Sequence, residues 1–166
     1  MNELQGKKTL DMGCGSGIAG LMAASKGANC TSVDINPESV KCTEENFLIN
    51  GYKAKTYESN LFENLDNTNK FDIIFFNPPY YEYEPKNDFE RGFGGGKDYR
   101  VIRDFVKKAG NFLNESGYLC LIVSSDMKIE KMFSILNENG FFYNILQKTS
   151  TFFETFYIIK AFVNVT

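Results

Sequence analysis

Two short segments hold the residues most able to do chemistry. The first is Asn77-Pro78-Pro79-Tyr80. Its prolines fix φ and remove two backbone donors, so the local carbonyls stand rigid with fewer competing partners. A planar NH₂ group can donate one hydrogen bond to the Asn77 side-chain oxygen and the other to the Pro78 carbonyl. Both bonds draw electron density toward nitrogen and aim its lone pair at an electrophile, while Tyr80 offers an aromatic face to the planar group. The second segment is Asp11-Met12-Gly13-Cys14-Gly15-Ser16-Gly17, an acid followed by three glycines at alternate positions. Glycine permits a sharp turn and close approach of a ligand. Asp34 lies twenty-one residues beyond Gly13, at the spacing where a carboxylate can accept hydrogen bonds from both hydroxyls of a ribose.

Each segment also has a plainer reading. Asn-Pro pairs favour turns generally, and a glycine turn can simply make a tight strand-to-helix corner. Gly15, Gly17 and Gly20 fit the loose G-x-G-x-x-G pattern of dinucleotide sites. Against a nicotinamide cofactor, Asp11 would repel a pyrophosphate, whereas it suits a ligand carrying an amino group. The 166 residues include no histidine, which excludes a histidine general base, a Ser-His-Asp triad and His-ligated metal. Cys14, Cys30, Cys42 and Cys120 show no C-x-x-C spacing, so no zinc cluster or dithiol pair is expected, and no metal. Four unpatterned thiols without a secretory leader fit a cytoplasmic chain. The apolar runs at 71–76 and 118–123 are too short to cross a bilayer. With 18 Lys and Arg against 21 Asp and Glu, net charge gives no general pull toward nucleic acid.

Apolar clusters alternate with helical periodicities along the chain, the pattern of a parallel sheet covered by helices. Strands are predicted at 8–12, 29–34, 54–58, 71–76 and 117–124, with a terminal antiparallel hairpin of strands at 141–148 and 154–163. Helices are predicted at 18–26, closed by Gly27, and from Asn36-Pro37-Glu38 to Asn50-Gly51, with apolar positions Val40, Phe47 and Leu48. A further helix is marked by Val101, Phe105, Ala109, Phe112 and Leu113, and another covers 128–137. The first helix follows the glycine turn, and the tetrapeptide follows the apolar strand at 71–76. Open parallel sheets place ligand chemistry at those carboxyl ends. The polar stretch from Tyr80 to Lys97 is long enough to suggest a functional or mobile loop. One domain spanning 1–166 is expected, with no internal repeat.

The glycine turn with Asp34 resembles the cofactor site of class I S-adenosylmethionine-dependent methyltransferases. The resemblance implies a Rossmann-like α/β fold with a mostly parallel seven-stranded sheet and helices on both faces. It also implies cofactor contacts from Asp11, Gly13, Cys14, Gly15, Gly17, Asp34, Ile35, Asn60, Leu61 and Asn77. Asn60 stands where many members carry Asp, and its carbonyl oxygen can still accept from the adenine amino group. The tetrapeptide Asn77, Pro78, Pro79 and Tyr80 resembles the catalytic corner of enzymes that methylate amide or exocyclic amino nitrogens. These are HemK-like glutamine-N5 enzymes and the adenine-N6 and guanine-N2 enzymes. For such a transfer no general base is needed, since the nitrogen sheds its proton as or after it is alkylated; catalysis is mostly positioning and carbonyl dipoles.

The stretch from Gly92 to Phe105 and Glu154-Thr155 look like the HemK-like branch, which points to a protein glutamine, such as one in a translation release factor. Base methylation on RNA or DNA is the alternative, and a non-catalytic cofactor-binding subunit a second. Only seven residues precede the first strand, where the family carries a covering segment. The site is therefore expected to be open, the chain to be a fragment, or a partner such as a small activator subunit to supply the cover. Lys97, Arg100, Arg103 and Lys107 fall near one helical face and read as a solvated face, with docking of an acidic partner or RNA as the alternative.

Overall fold

The computed structural model describes residues 4–163. One seven-stranded sheet runs in the order β3-β2-β1-β4-β5-β7-β6. Its strands are β1 (Lys8–Met12), β2 (Asn29–Asp34), β3 (Ala54–Glu58), β4 (Phe71–Phe76), β5 (Leu113–Ser124), β6 (Phe141–Ser150) and β7 (Thr155–Val163). The pairs β1 with β2, β1 with β4 and β2 with β3 are parallel, while β7 runs antiparallel to both β5 and β6. Helices flank the sheet: α1 (Ile18–Ser25), α2 (Pro37–Ile49), α3 (Asp88–Arg91), α4 (Arg100–Ala109) and α5 (Ile129–Glu138).

The chain gathers into two compact units. One ends at Phe76 and takes in Asn111–Gly117; the other comprises Asn77–Gly110 and Tyr118 onward. In the first, Ala23, Ala24, Cys30 and Phe47 form a buried cluster with Leu21, Ala28, Ala54 and Phe75 against it. Asn36 caps α2 by accepting from the Glu38 amide at 3.0 Å, with Pro37 at the first turn. Gly51 (φ +76°) ends it, because a left-handed residue there costs glycine nothing. In the second unit, Ile102, Phe105 and Val106 of α4, Leu119 and Leu121 of β5, and Ile135 and Leu136 of α5 are buried. Each such side chain contributes about 1.5–3 kcal/mol over an exposed one.

Several expectations need correction. Leu48 is 77% exposed; the inward face of α2 uses Thr43 and Phe47, and one further residue rotates past the core. Helix α4 stops at Ala109, and Gly110–Phe112 tighten into a 3₁₀ turn that stacks Phe112 on Phe62 at 4.4 Å between centroids. Leu113 therefore begins β5 rather than ending a helix. Gly117 lies within β5 instead of starting it. A Cβ there would sit 2.7 Å from the Phe71 carbonyl oxygen, so this glycine marks a close approach of backbones. The long polar stretch, read as a loop, contains regular structure. It carries α3, capped by Asn87 on the Glu90 amide at 2.9 Å, and Tyr81 bridges Gly94.

Candidate active site

In the first unit, the glycine turn leaves β1 with Gly13, Gly15 and Gly17 at φ of +62°, +54° and +78°. Each position is in the left-handed region that other residues enter only at a cost. The turn is fastened from several sides. Cys14 N donates to the Val33 carbonyl at 2.9 Å and Gly17 N to the Cys14 carbonyl at 2.7 Å. Thr43 Oγ1 donates to the Gly15 carbonyl at 3.1 Å, and Asn46 Nδ2 to the Ser16 carbonyl at 2.8 Å. Neither Thr43 nor Asn46 was singled out from the sequence. The available signal was a pair of polar residues, three apart, beside Phe47 on the inward face of α2. At Gly17 a Cβ would press to 2.7 Å from Thr43, whereas one on Gly15 would meet nothing within 4 Å. The turn thus leaves open space beside Gly15.

Asp34 ends β2 half-buried. Its Oδ2 accepts from Gly15 N at 2.9 Å and its Oδ1 from Asn36 N at 2.9 Å. An ionised carboxylate has about four acceptor sites, so two remain for hydroxyl donors. Ile35, 40% exposed, presents an apolar side chain beside it. After β3, Ser59 N donates to the Asp34 carbonyl at 2.8 Å, which brings the Ser59-Asn60-Leu61 bend to the end of β2. Ser59 Oγ donates to the Leu61 carbonyl at 2.7 Å, and Leu61 takes a left-handed φ of +52°. Asn60 donates through Nδ2 to Glu63 Oε1 at 3.0 Å.

Asp11 is 5% exposed. Its Oδ2 accepts from Gly20 N at 2.9 Å. Burial, with a smaller contribution from the charge of Asp34, pushes the Asp11 carboxyl up to about 6, although the Gly20 amide acts the other way. A Cβ on Gly20 would lie 3.2 Å from that carboxylate and 3.1 Å from Ser32 Oγ, so the absent side chain is what lets α1 approach the acid. Cys14 behaves differently from its neighbours. Its side chain is buried, its sulfur lies 3.2 Å from Thr43 Oγ1, and burial pushes the thiol up to about 12. Only its backbone is available to a ligand.

In the second unit, Asn77 follows the last residue of β4 directly and is exposed, Pro78 is buried, and Pro79 and Tyr80 are half-buried. The glycine run behind this corner has a steric reason. A Cβ on Gly95 would fall 2.4 Å from the Pro79 carbonyl oxygen and one on Gly94 2.7 Å from the Tyr83 ring. Gly95 N donates to the Tyr81 carbonyl at 2.8 Å and Gly96 N to the Tyr83 carbonyl at 3.1 Å. The glycines thus let one stretch of backbone lie against the diproline bend and hold it. Tyr80 OH donates to Glu154 Oε1 at 3.4 Å and Tyr81 OH to Asp126 Oδ2 at 2.9 Å. Both phenols are raised, Tyr80 first by burial and Tyr81, to about 12, first by its bond to Asp126.

Two of the four basic residues expected on one face near α4, Arg100 and Arg103, are paired with carboxylates. Arg100 pairs with Glu84 at 2.8 Å, and Arg103 with Asp98 and Glu138, each at 3.0 Å. The solvated-face reading therefore fits these two arginines better than docking of an acidic partner. Among the described residues, no group of three or more Cys, Asp or Glu side chains is placed to hold a metal ion, and no helix is long and apolar enough to cross a membrane.

Comparison with known proteins decides the family. The model of the methyltransferase small domain matches residues 1–154. The chain belongs to this family. This methyltransferase is 35% identical over 168 aligned residues to a Methanocaldococcus jannaschii protein that bears the provisional name protein N5-glutamine methyltransferase; the match covers 96% of the chain and 83% of that protein. It is 32% identical to the release factor glutamine methyltransferase of Fusobacterium nucleatum, covering 85% of the chain. It is 26% identical to the ribosomal RNA small subunit methyltransferase C of Haemophilus influenzae, covering 91%. The chain spans only 43% and 41% of the length of those last two relatives. Among solved structures, the E. cuniculi Mtq2-Trm112 complex superposes with a TM-score of 0.74 at 24% identity, covering 98% of this chain and 88% of that one. The class I methyltransferase fold is thereby shown.

Proposed function

We propose that this methyltransferase uses S-adenosylmethionine, released as S-adenosylhomocysteine, to methylate a glutamine side-chain amide of a protein such as a translation release factor. The observation that carries the reading is the exposed Asn77 on its diproline bend, backed by Gly95, in a chain of this family. The cofactor fits the residues present. The turn is open beside Gly15, Asp11 is a buried carboxylate suited to an amino group, Asp34 keeps acceptor sites for ribose hydroxyls, and Asn60 offers a carbonyl oxygen to the adenine amino group. Ile35 and Leu61 supply apolar contact. When bound, the cofactor supplies an electrophilic methyl carbon.

The chain's own residues then position the acceptor. Asn77 Oδ1 and the Pro78 carbonyl accept the two N–H bonds of the planar amide, while the Tyr80 ring covers its face. Both carbonyl dipoles stabilise positive charge as it develops on nitrogen. The nitrogen sheds one of its two protons, past the carbonyl that accepts it and out to solvent, as or after it is alkylated, so no side-chain base is required.

A protein acceptor is favoured over a nucleic acid by the charges around the corner. Glu154 and Asp126 accept from its two tyrosines, and carboxylates there oppose a phosphate chain. The second reading, methylation of an exocyclic amino nitrogen in RNA or DNA, draws support from the ribosomal RNA methyltransferase relative. A single domain over 1–166, a small activator subunit and a cytoplasmic setting complete the proposal; Cys14, Cys30, Cys42 and Cys120 are all free thiols.

Two experiments test these assignments. With methyl-labelled cofactor offered beside a release factor and beside bulk ribosomal RNA, label is expected in the protein. Label confined to RNA would reverse the ranking. Separately, Asp34→Ala should weaken cofactor binding by at least about tenfold, the worth of a hydrogen bond to a charged group; calorimetry returning the wild-type affinity would contradict the ribose assignment.

A further inference from the structure

The start of β7 reaches back to the tetrapeptide through one side chain. Glu154 Oε1 accepts from Tyr80 OH at 3.4 Å and from the hydroxyl of Ser124, which is fully buried at the end of β5. Ser124 Oγ is fixed in turn by the Asp126 amide at 3.0 Å. Asp126 takes the hydroxyl of Tyr81, whose ring lies 5.1 Å from that of Tyr80 at an angle of 50°. Two consecutive tyrosines are thus tied at their tips to carboxylates carried by two neighbouring strand ends.

Closing the sheet does not require this arrangement. Ser124 is already in register with Phe156. Beside that pair, Ser125 N donates to the Thr155 carbonyl at 2.7 Å, and Thr155 N to Ser125 Oγ at 2.9 Å. The backbone of Glu154 is held independently, since its amide donates to Thr151 Oγ1 at 3.1 Å and its carbonyl accepts from Thr151 N at 2.7 Å. What the carboxylate adds is a fixed point for the Tyr80 ring. A half-buried phenol held at its tip has one ring orientation, whereas a free one rotates about χ1 and χ2. A carboxylate that also accepts from a buried hydroxyl is the better anchor, because its own rotamer is locked.

We propose that Glu154 is a positioning residue of the methyl-transfer site: through Tyr80 it sets the aromatic face against which the planar acceptor lies. The inference rests on the reaction proposed above for Asn77 to Tyr80. Misplacing an acceptor by about 1 Å can cost on the order of 10²-fold in rate, so a single anchoring bond has a large lever. Glu154→Gln keeps an oxygen acceptor for both Ser124 and Tyr80. Glu154→Ala keeps neither.

The test combines kinetics with nuclear magnetic resonance of the full chain carrying ¹³C-labelled tyrosine rings, with the Tyr80 signal identified by its loss in Tyr80→Phe. In Glu154→Ala, assayed well below its melting temperature, kcat is expected to fall about 10- to 100-fold with cofactor affinity unchanged. The Tyr80 ring signal should shift and average, and Glu154→Gln should restore most of both. A lowered melting temperature with unaltered kcat would make Glu154 a sheet-end fastening and overturn the proposal, as would a Tyr80 signal indifferent to Glu154→Ala. If the wild-type chain methylates neither protein nor RNA, the reaction assigned to the corner fails. The ring signal still decides whether Glu154 governs Tyr80.

Discussion

Asn77→Ala is expected to lower turnover by at least about 10²-fold while leaving cofactor affinity within error of wild type. The reason lies in where the residue stands. Asn77 is exposed, and it follows the last residue of β4 directly, beside the acceptor corner rather than within the glycine turn. Its oxygen is one of two acceptors assigned to the planar nitrogen, and deleting one preorganised dipole at a reacting centre costs about 10²–10³ in rate. Single-turnover kinetics with saturating acceptor, set beside calorimetry of the cofactor, separate the two quantities. A large loss of cofactor affinity would mean that Asn77 belongs to the cofactor site and not to the acceptor corner.

Asp11→Asn is expected to move stability and binding in opposite directions. The Asp11 carboxyl rises from its ordinary 3.8 to about 6, chiefly because it is buried. Between those values the folded chain holds a proton that the unfolded chain has lost, so stability falls as pH rises through that window. Above it, the buried charge costs about 3 kcal/mol, at roughly 1.4 kcal/mol per pH unit. Asparagine can still accept from the Gly20 amide but carries no charge. Urea unfolding at pH 8 should therefore show Asp11→Asn more stable by about 1–3 kcal/mol, with the difference vanishing toward pH 4. Cofactor affinity should fall about 10- to 100-fold, because a charge-assisted bond to an ammonium is lost. In the wild-type chain that affinity should decline below about pH 6, as Asp11 takes up its proton. A variant that is less stable at every pH would show that the carboxylate is a structural group. Such opposition between stability and binding is the usual mark of a group kept for its ligand.

Much of the framework was legible because its signals are local. β1, β2, β3 and β4 fall at the expected residues, and α2 begins at its Asn36 cap and Pro37. The glycine turn was legible as well, since three alternating glycines announce left-handed backbone before any fold is known. What escaped the sequence depends on contacts between distant segments. Gly117 reads as a strand start, yet the Phe71 carbonyl lies against it inside β5, and the glycines at 94 to 96 carry no local signal that Gly95 packs against the Pro79 carbonyl. Thr43 and Asn46 hold the glycine turn from a helix 29 and 30 residues away, a distance no local pattern spans. The Tyr80–Glu154 bond joins residues 74 apart, and Glu154 was noted from sequence only for its resemblance to related chains. In the same way Cys14, named for its place in the turn, proved to have its side chain committed to Thr43.

The central claim is that a planar amide nitrogen held at the diproline bend receives the methyl group. The most direct measurement is fragmentation mass spectrometry of a release-factor polypeptide after incubation with the purified chain and S-adenosylmethionine. The account predicts a gain of one methylene confined to a glutamine side-chain amide and lost in Asn77→Ala. A methyl found on a carboxylate, hydroxyl or thiol of that polypeptide, or persisting at the same level in Asn77→Ala, would contradict it.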